Sequence, residues 1–164
     1  MDTYQDLIHA FEETEDWLES LKKYSDEWFF QPIEKEKWTV ADIITHMRFW
    51  DQYMLEIVIP QMKEGADVRT EEDYQKTNDQ AIVYVQHSNK TSQQLIDEAI
   101  TMRKKVIEYL RQRTEQDFFA RFTVNGEVID QFTGYPHTLY NFIAGFLWHD
   151  HHHKDQVEHF FSKR

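Results

Sequence analysis

The 164-residue chain carries 40% apolar and 15% aromatic residues, enough to bury a sizeable core, and only 4 Gly and 3 Pro, few for a protein of many strands and turns. Lys and Arg number 18 against 30 Asp and Glu, a formal charge of −12 that disfavours nucleic acid and anionic membrane surfaces as partners. There is no cysteine, which excludes disulfides, thiolate metal sites and cysteine nucleophiles.

The first six residues, Met1 to Asp6, lack the basic start and apolar stretch of a signal peptide, so a cytoplasmic location is expected. Thr3 with Asp6 makes a capping pattern. The stripe Tyr4, Leu7, Ile8, Phe11, Trp17, Leu18 and Leu21 then predicts an amphipathic helix closed by Lys22 and Lys23. Ser25 to Lys37, with Pro32, reads as a connection.

A second helix is predicted from the capping box Thr39/Asp42, with Ile43, His46, Trp50, Tyr53 and Ile57 inward. Pro60 should kink or end it, with Gly65 just beyond. Thr70 and Asp73 suggest a short helical segment to about Val85, and His87 to Lys90 breaks the pattern. Thr91 with Gln94 opens a third long helix to about Gln112. Its cluster Arg103-Lys104-Lys105, with Arg111 and Arg113, is interleaved with Asp97, Glu98 and Glu108 and reads as a solvated face.

Phe122-Thr123-Val124, Asn125-Gly126 and Glu127-Val128-Ile129 predict a small hairpin around a type I′ turn. A fourth long helix starts near Thr138, with the stripe Leu139, Phe142, Phe146, His149, His153, Gln156 and Phe160. Its apolar run from Phe142 to Trp148 is too short to cross a bilayer. The expected architecture is all-α: one domain over residues 1–164, a four-helix bundle with a short additional helical segment and one small hairpin.

Nine histidines are present. His9, His87, His137 and His159 fit no shared pattern and read as surface or loop residues. On the last helix, His149 and His153 both fall on the inward series. Residues four apart differ by about 40° in direction and about 6 Å along the axis, so two such imidazoles can converge on one ion. His151 lies about 200° around from His149 and should face outward; His152 is ambiguous, since a pair three apart also chelates. His46 holds the equivalent inward place on the second helix. Burying three polar rings without partners costs on the order of a few kcal/mol each. One divalent ion on three neutral imidazoles satisfies them together and leaves an open position, the pattern of catalytic zinc sites. Imidazole accepts zinc or nickel alike.

The same residues carry a family resemblance. Trp38-Thr39-Val40-Ala41-Asp42-Ile43-Ile44-Thr45-His46 resembles the W-[ST]-x-x-[DE]-[IL]-[IVL]-x-H segment of the DinB-like superfamily. Its members are four-helix proteins related to metal-dependent thiol S-transferases and to YfiT-type metal-dependent hydrolases. Trp148 to Gln156 is similar to that family's last-helix H-x-x-x-H-x-x-Q segment. The resemblance implies His46, His149 and His153 as ligands of one divalent metal, a homodimer, and, in one branch, activation of a low-molecular-weight thiol such as bacillithiol, mycothiol or glutathione. Many members have Arg-Gly where this chain has Lys154-Asp155, a departure outside the triad.

A divalent ion so held lowers the pKa of bound water or deprotonates a coordinating thiol, so hydrolase and S-transferase would share one ligand set. Trp50, Tyr53, Phe142 and Phe146 predict an aromatic-walled pocket for a small-molecule substrate. Gln156 is a candidate to orient a ligand or water, and Asp150 a candidate general base or partner of a metal ligand. The alternative reading is a non-catalytic metal-binding or stress-induced interaction module. No G-x-S-x-G, P-loop or dinucleotide fingerprint is present.

Overall fold

The computed structural model describes residues 3–71 and 73–164. Side-chain caps set where its helices begin. Thr3 Oγ1 accepts from the Asp6 amide at 3.1 Å and opens α1 (Tyr4–Ser20), which tightens into a 3₁₀ turn at Leu21–Lys23. The connection that follows holds a 3₁₀ segment, Asp26–Phe30, which seats Phe29 in the core. Thr39 and Asp42 form the reciprocal box expected of them, both bonds at 3.0 Å, and start α2 (Val40–Tyr53).

Beyond Tyr53 the chain stays helical but changes pitch, through a π turn at Met54–Val58 and a 3₁₀ turn at Ile59–Gln61. Pro60 has no N–H for the ladder, so the helix ends there as expected. Ile57, placed inward by the stripe, is 49% exposed, because the widened turn rotates it off the core face.

Asp73 caps α3 (Tyr74–Ser88), which ends at Asn89 in a left-handed conformation, three residues later than the apolar pattern suggests. The box Thr91/Gln94 opens α4 (Ser92–Arg111). A short helix the sequence reading missed, α5 (Glu115–Phe119), starts at a third box, Thr114/Asp117, and buries Phe118. Thr138 caps α6 (Leu139–Ser162).

The bundle is formed by α1, α2, α4 and α6, with α3 laid on the outside of α2. Apolar side chains gather in two main clusters. One includes Trp17, Ile44, Ile96 and Phe160, the other Leu7, Phe11, Ile107 and Ile143. Along α4, Arg103 falls between Ile100 of the first cluster and Val106 of the second.

Arg103 is only 1% exposed, which corrects the reading of its charge run as a solvated face. Its guanidinium donates to Asp51 Oδ2 and Oδ1 at 2.8 and 3.1 Å, to Asp150 Oδ2 at 2.8 Å and to the Phe11 carbonyl at 3.0 Å. It also lies 3.7 Å from the centre of the Phe11 ring. A buried guanidinium has to find acceptors for its donors, and here α1, α2 and α6 all supply them to α4. Burial pushes the Asp51 and Asp150 carboxyls up, against the pull of the Arg103 charge.

The expected hairpin shrinks to its turn. Asn125 and Gly126 have φ of 49° and 82°, as a type I′ turn requires, and Val124 and Glu127 exchange bonds of 3.0 and 2.9 Å. The main partner of this segment is remote: β1 (Asp67–Val68) pairs in parallel with β2 (Thr123–Val124). Pairs Phe122/His137 and Ile129/Pro136 continue the excursion towards α6. Among the described residues no helix is long and apolar enough to cross a membrane.

Candidate metal centre

His46 sits on the buried face of α2, and His149 and His153 are one turn apart on α6. Their Nε2 atoms turn towards one another: His149 Nε2 is 3.0 Å from that of His153 and 3.4 Å from that of His46. One nitrogen from each ring lies within 4.8 Å of the other two. Bond lengths of about 2.0–2.1 Å in a tetrahedral zinc site imply N···N edges of about 3.3 Å, so the spacing suits one small divalent ion.

The protonation states suit it as well. Burial pushes His46 down to about 3 and His153 to about 4, with the neighbouring imidazoles adding to the effect. His149 is lowered too, by burial and then by His152. All three rings are therefore neutral at pH 7, the state that can ligate a metal. His153 Nδ1 lies 2.8 Å from Gln156 Oε1, an acceptor that keeps the ring hydrogen on Nδ1 and leaves the Nε2 lone pair free. Trp38 packs against the His46 ring with centroids 4.9 Å apart, and His46 Nδ1 is buried without a partner.

His46 and His149 form the floor of a cavity of about 520 Å³. Trp50, Tyr53, Phe142 and Phe146 are all in its wall. Trp50 is held by a 3.0 Å bond from its Nε1 to Asn78 Oδ1 on α3. The two excursions that carry β1 and β2 supply the roof, including Thr70, Phe122, Val124 and Glu127.

A family model for the DinB superfamily matches residues 7–157. The chain belongs to the DinB superfamily. A solved structure of YfiT from Bacillus subtilis, described as a probable metal-dependent hydrolase with an unusual four-helix bundle topology, is similar at a TM-score of 0.68. It shares 16% identity, over 97% of this chain and 86% of that one. No curated protein matches.

Within this DinB-superfamily bundle the α6 stripe is rotated from its expected place. The core takes Ile143, Leu147, Asp150, His153 and Val157, whereas Phe142, Phe146 and His149 are half-buried and face the cavity. Asp150, a candidate general base, is instead bonded to Arg103 in the core and is absent from the cavity lining. Gln156 holds His153 rather than reaching into the pocket. His151 and His152 are exposed, the latter stacked beside Trp148.

His137, read as an ordinary surface or loop residue, lines the cavity of the DinB-superfamily chain. It stacks on Phe122 and lies 3.1 Å from Glu127 Oε1. Sequence reasoning also missed Asn78, Tyr74 and Phe122, which come from α3 and the β2 excursion. Only long-range pairing brings them to the histidines, and no local spacing announces it.

Proposed function

We propose that the chain is a metal-dependent enzyme acting on a small molecule, with one divalent ion on His46, His149 and His153. The observation that carries this reading is the convergence of three neutral Nε2 atoms, two of them on rings that line an aromatic cavity large enough for a substrate. An ion there supplies Lewis acidity and a water, or a thiol, that ionises near neutral pH. The protein's own part is to orient and to exclude water. Gln156 fixes the His153 ring, Trp38 fixes the His46 ring, and the aromatic walls hold an apolar substrate against the open side of the site.

Hydrolysis is the favoured reaction. Thiol S-transfer would use the same three ligands, but the cavity lining includes no Lys or Arg to receive the carboxylates of a thiol such as glutathione. A cavity of this size above the histidines also favours an enzyme over a passive metal-binding module. Untagged protein should contain close to one zinc, nickel or similar ion per chain. It should hydrolyse members of a panel of small aryl esters and amides only when loaded. Metal-free protein that resists reconstitution would reject the site. Metal-dependent conjugation of thiols to chlorodinitrobenzene, without hydrolysis, would move the assignment to S-transfer.

A further inference from the structure

The histidines occupy only the floor of the cavity, and its rim has a distinct chemistry. Among the lining residues there is no Lys or Arg, whereas Glu127 and Asp130 both reach it. Asp130 is committed to its own loop, accepting from the Phe132 amide at 3.0 Å and from Thr133 Oγ1 at 3.2 Å. Glu127 is committed on one side only. Its Oε1 meets His137 Nε2 at 3.1 Å, while no bond to Oε2 is formed among the described residues. The pair with His137 pins the carboxylate, and His137 is itself stacked on Phe122. Tyr53, Tyr74 and Phe132 add further rings to the same lining. Aromatic faces attract cations through their quadrupoles, and a fixed carboxylate in the same lining adds a charge-assisted acceptor, with Tyr53 deeper in the wall and Phe132 fully exposed at its edge.

We propose that the cavity takes a compact apolar molecule bearing an ammonium group, with the cation at Glu127 among the aromatic rings and the opposite end directed to the histidines. The assignment rests on the cavity being the substrate site, as proposed above, and it excludes anionic ligands from the rim. A ligand of this kind would be polar at one end and apolar along its body, which matches the run of contacts from His149 through Phe146, Phe142, Phe122 and His137 to Glu127.

The test compares 3-phenylpropylammonium, 3-phenylpropanol and 3-phenylpropanoate on the full chain, in metal-free and zinc-loaded form, by titration of backbone amide shifts. In the metal-free protein the ammonium should bind about tenfold more tightly than the alcohol, with the carboxylate weakest. Glu127→Gln keeps an acceptor for His137 and should abolish the ammonium advantage while leaving the alcohol unchanged. Equal affinity for ammonium and alcohol, a preference for the carboxylate, or an ammonium affinity unmoved by Glu127→Gln would overturn the proposal. Since the deciding comparison is the one on metal-free protein, a preserved ammonium preference in protein that never takes up zinc would sink the metal reading alone. One zinc per chain with no such preference would sink this proposal alone.

Discussion

Asp150 follows His149 in sequence, about 100° around α6, and the two side chains serve different neighbours. His149 Nε2 lies 3.0 Å from His153 Nε2 at the cavity floor, and Asp150 Oδ2 lies 2.8 Å from the Arg103 guanidinium inside the bundle. On α2 the arrangement repeats, with His46 facing the cavity and Asp51 the same guanidinium. Arg103 thus ties α2 to α6 within the bundle, and from the same two helices the imidazoles bring their Nε2 atoms together.

Replacing Arg103 by Met should therefore be severe. Two buried carboxylates lose their cation, and breaking a buried pair on one side typically costs about 3–5 kcal/mol. Urea unfolding of the metal-free protein measures it. Adding Asp51→Leu and Asp150→Leu to Arg103→Met should recover most of the loss, because no charge then remains buried. A single-variant loss below about 1 kcal/mol would mean that the cluster does not hold the helices together.

Metal affinity should separate the histidines sharply. Ala at His46, His149 or His153 removes a ligand and should weaken zinc by at least about 100-fold, whereas His151→Ala and His152→Ala should stay within about twofold. Competition with a chromogenic chelator reads both. Comparable losses at His151 and His46 would relocate the site.

Gln156 acts on the metal through His153. Gln156→Leu removes the acceptor for Nδ1 and should lower zinc affinity by about 10- to 100-fold with little change in fold, while Gln156→Glu, which still accepts, should retain it. Equal affinities for all three proteins would reduce Gln156 to a polar filler.

Acid should destabilise the metal-free protein. His46 and His153 are held at about 3 and about 4, below the ordinary 6.5, so between those values the unfolded chain binds more protons. Stability then falls as pH drops from about 6.5. The Asp51 and Asp150 carboxyls, both pushed up by burial, work in the opposite sense, since just above the ordinary carboxylate range the folded chain holds the extra protons. Three buried imidazoles, His149 being lowered as well, oppose these two carboxyls, so the acid loss should prevail. His46→Phe should lessen the slope by up to one proton, about 1.4 kcal/mol per pH unit. An unchanged slope, followed by urea midpoints from pH 7 to 4.5, would show that His46 is not buried as a neutral ring.

What the sequence made legible was local. Thr39/Asp42 and Thr91/Gln94 announce helix starts because a cap is decided within four residues. The three histidines were legible because aromatic and imidazole residues at steps of three and four share a face. The rotation of α6 was not, because this helix is apolar on two flanks and the aromatic one covers a cavity. Arg103 was hidden by Lys104 and Lys105, although it keeps step with Ala99, Val106 and Leu110 on the buried side of α4. The parallel pairing of Val68 with Val124, which roofs the site, joins segments far apart in the chain, and no periodicity encodes it.

The roof and the floor are therefore supplied by different kinds of backbone. The imidazoles stand on long helices braced by an ion cluster, while Glu127, Phe132 and His137 ride on a connection that shares little of the bundle's packing. Insertions or exchanges in that connection can redirect what the protein selects without disturbing the ion beneath it, and the same frame could be refitted for a new ligand by rewriting some twenty residues.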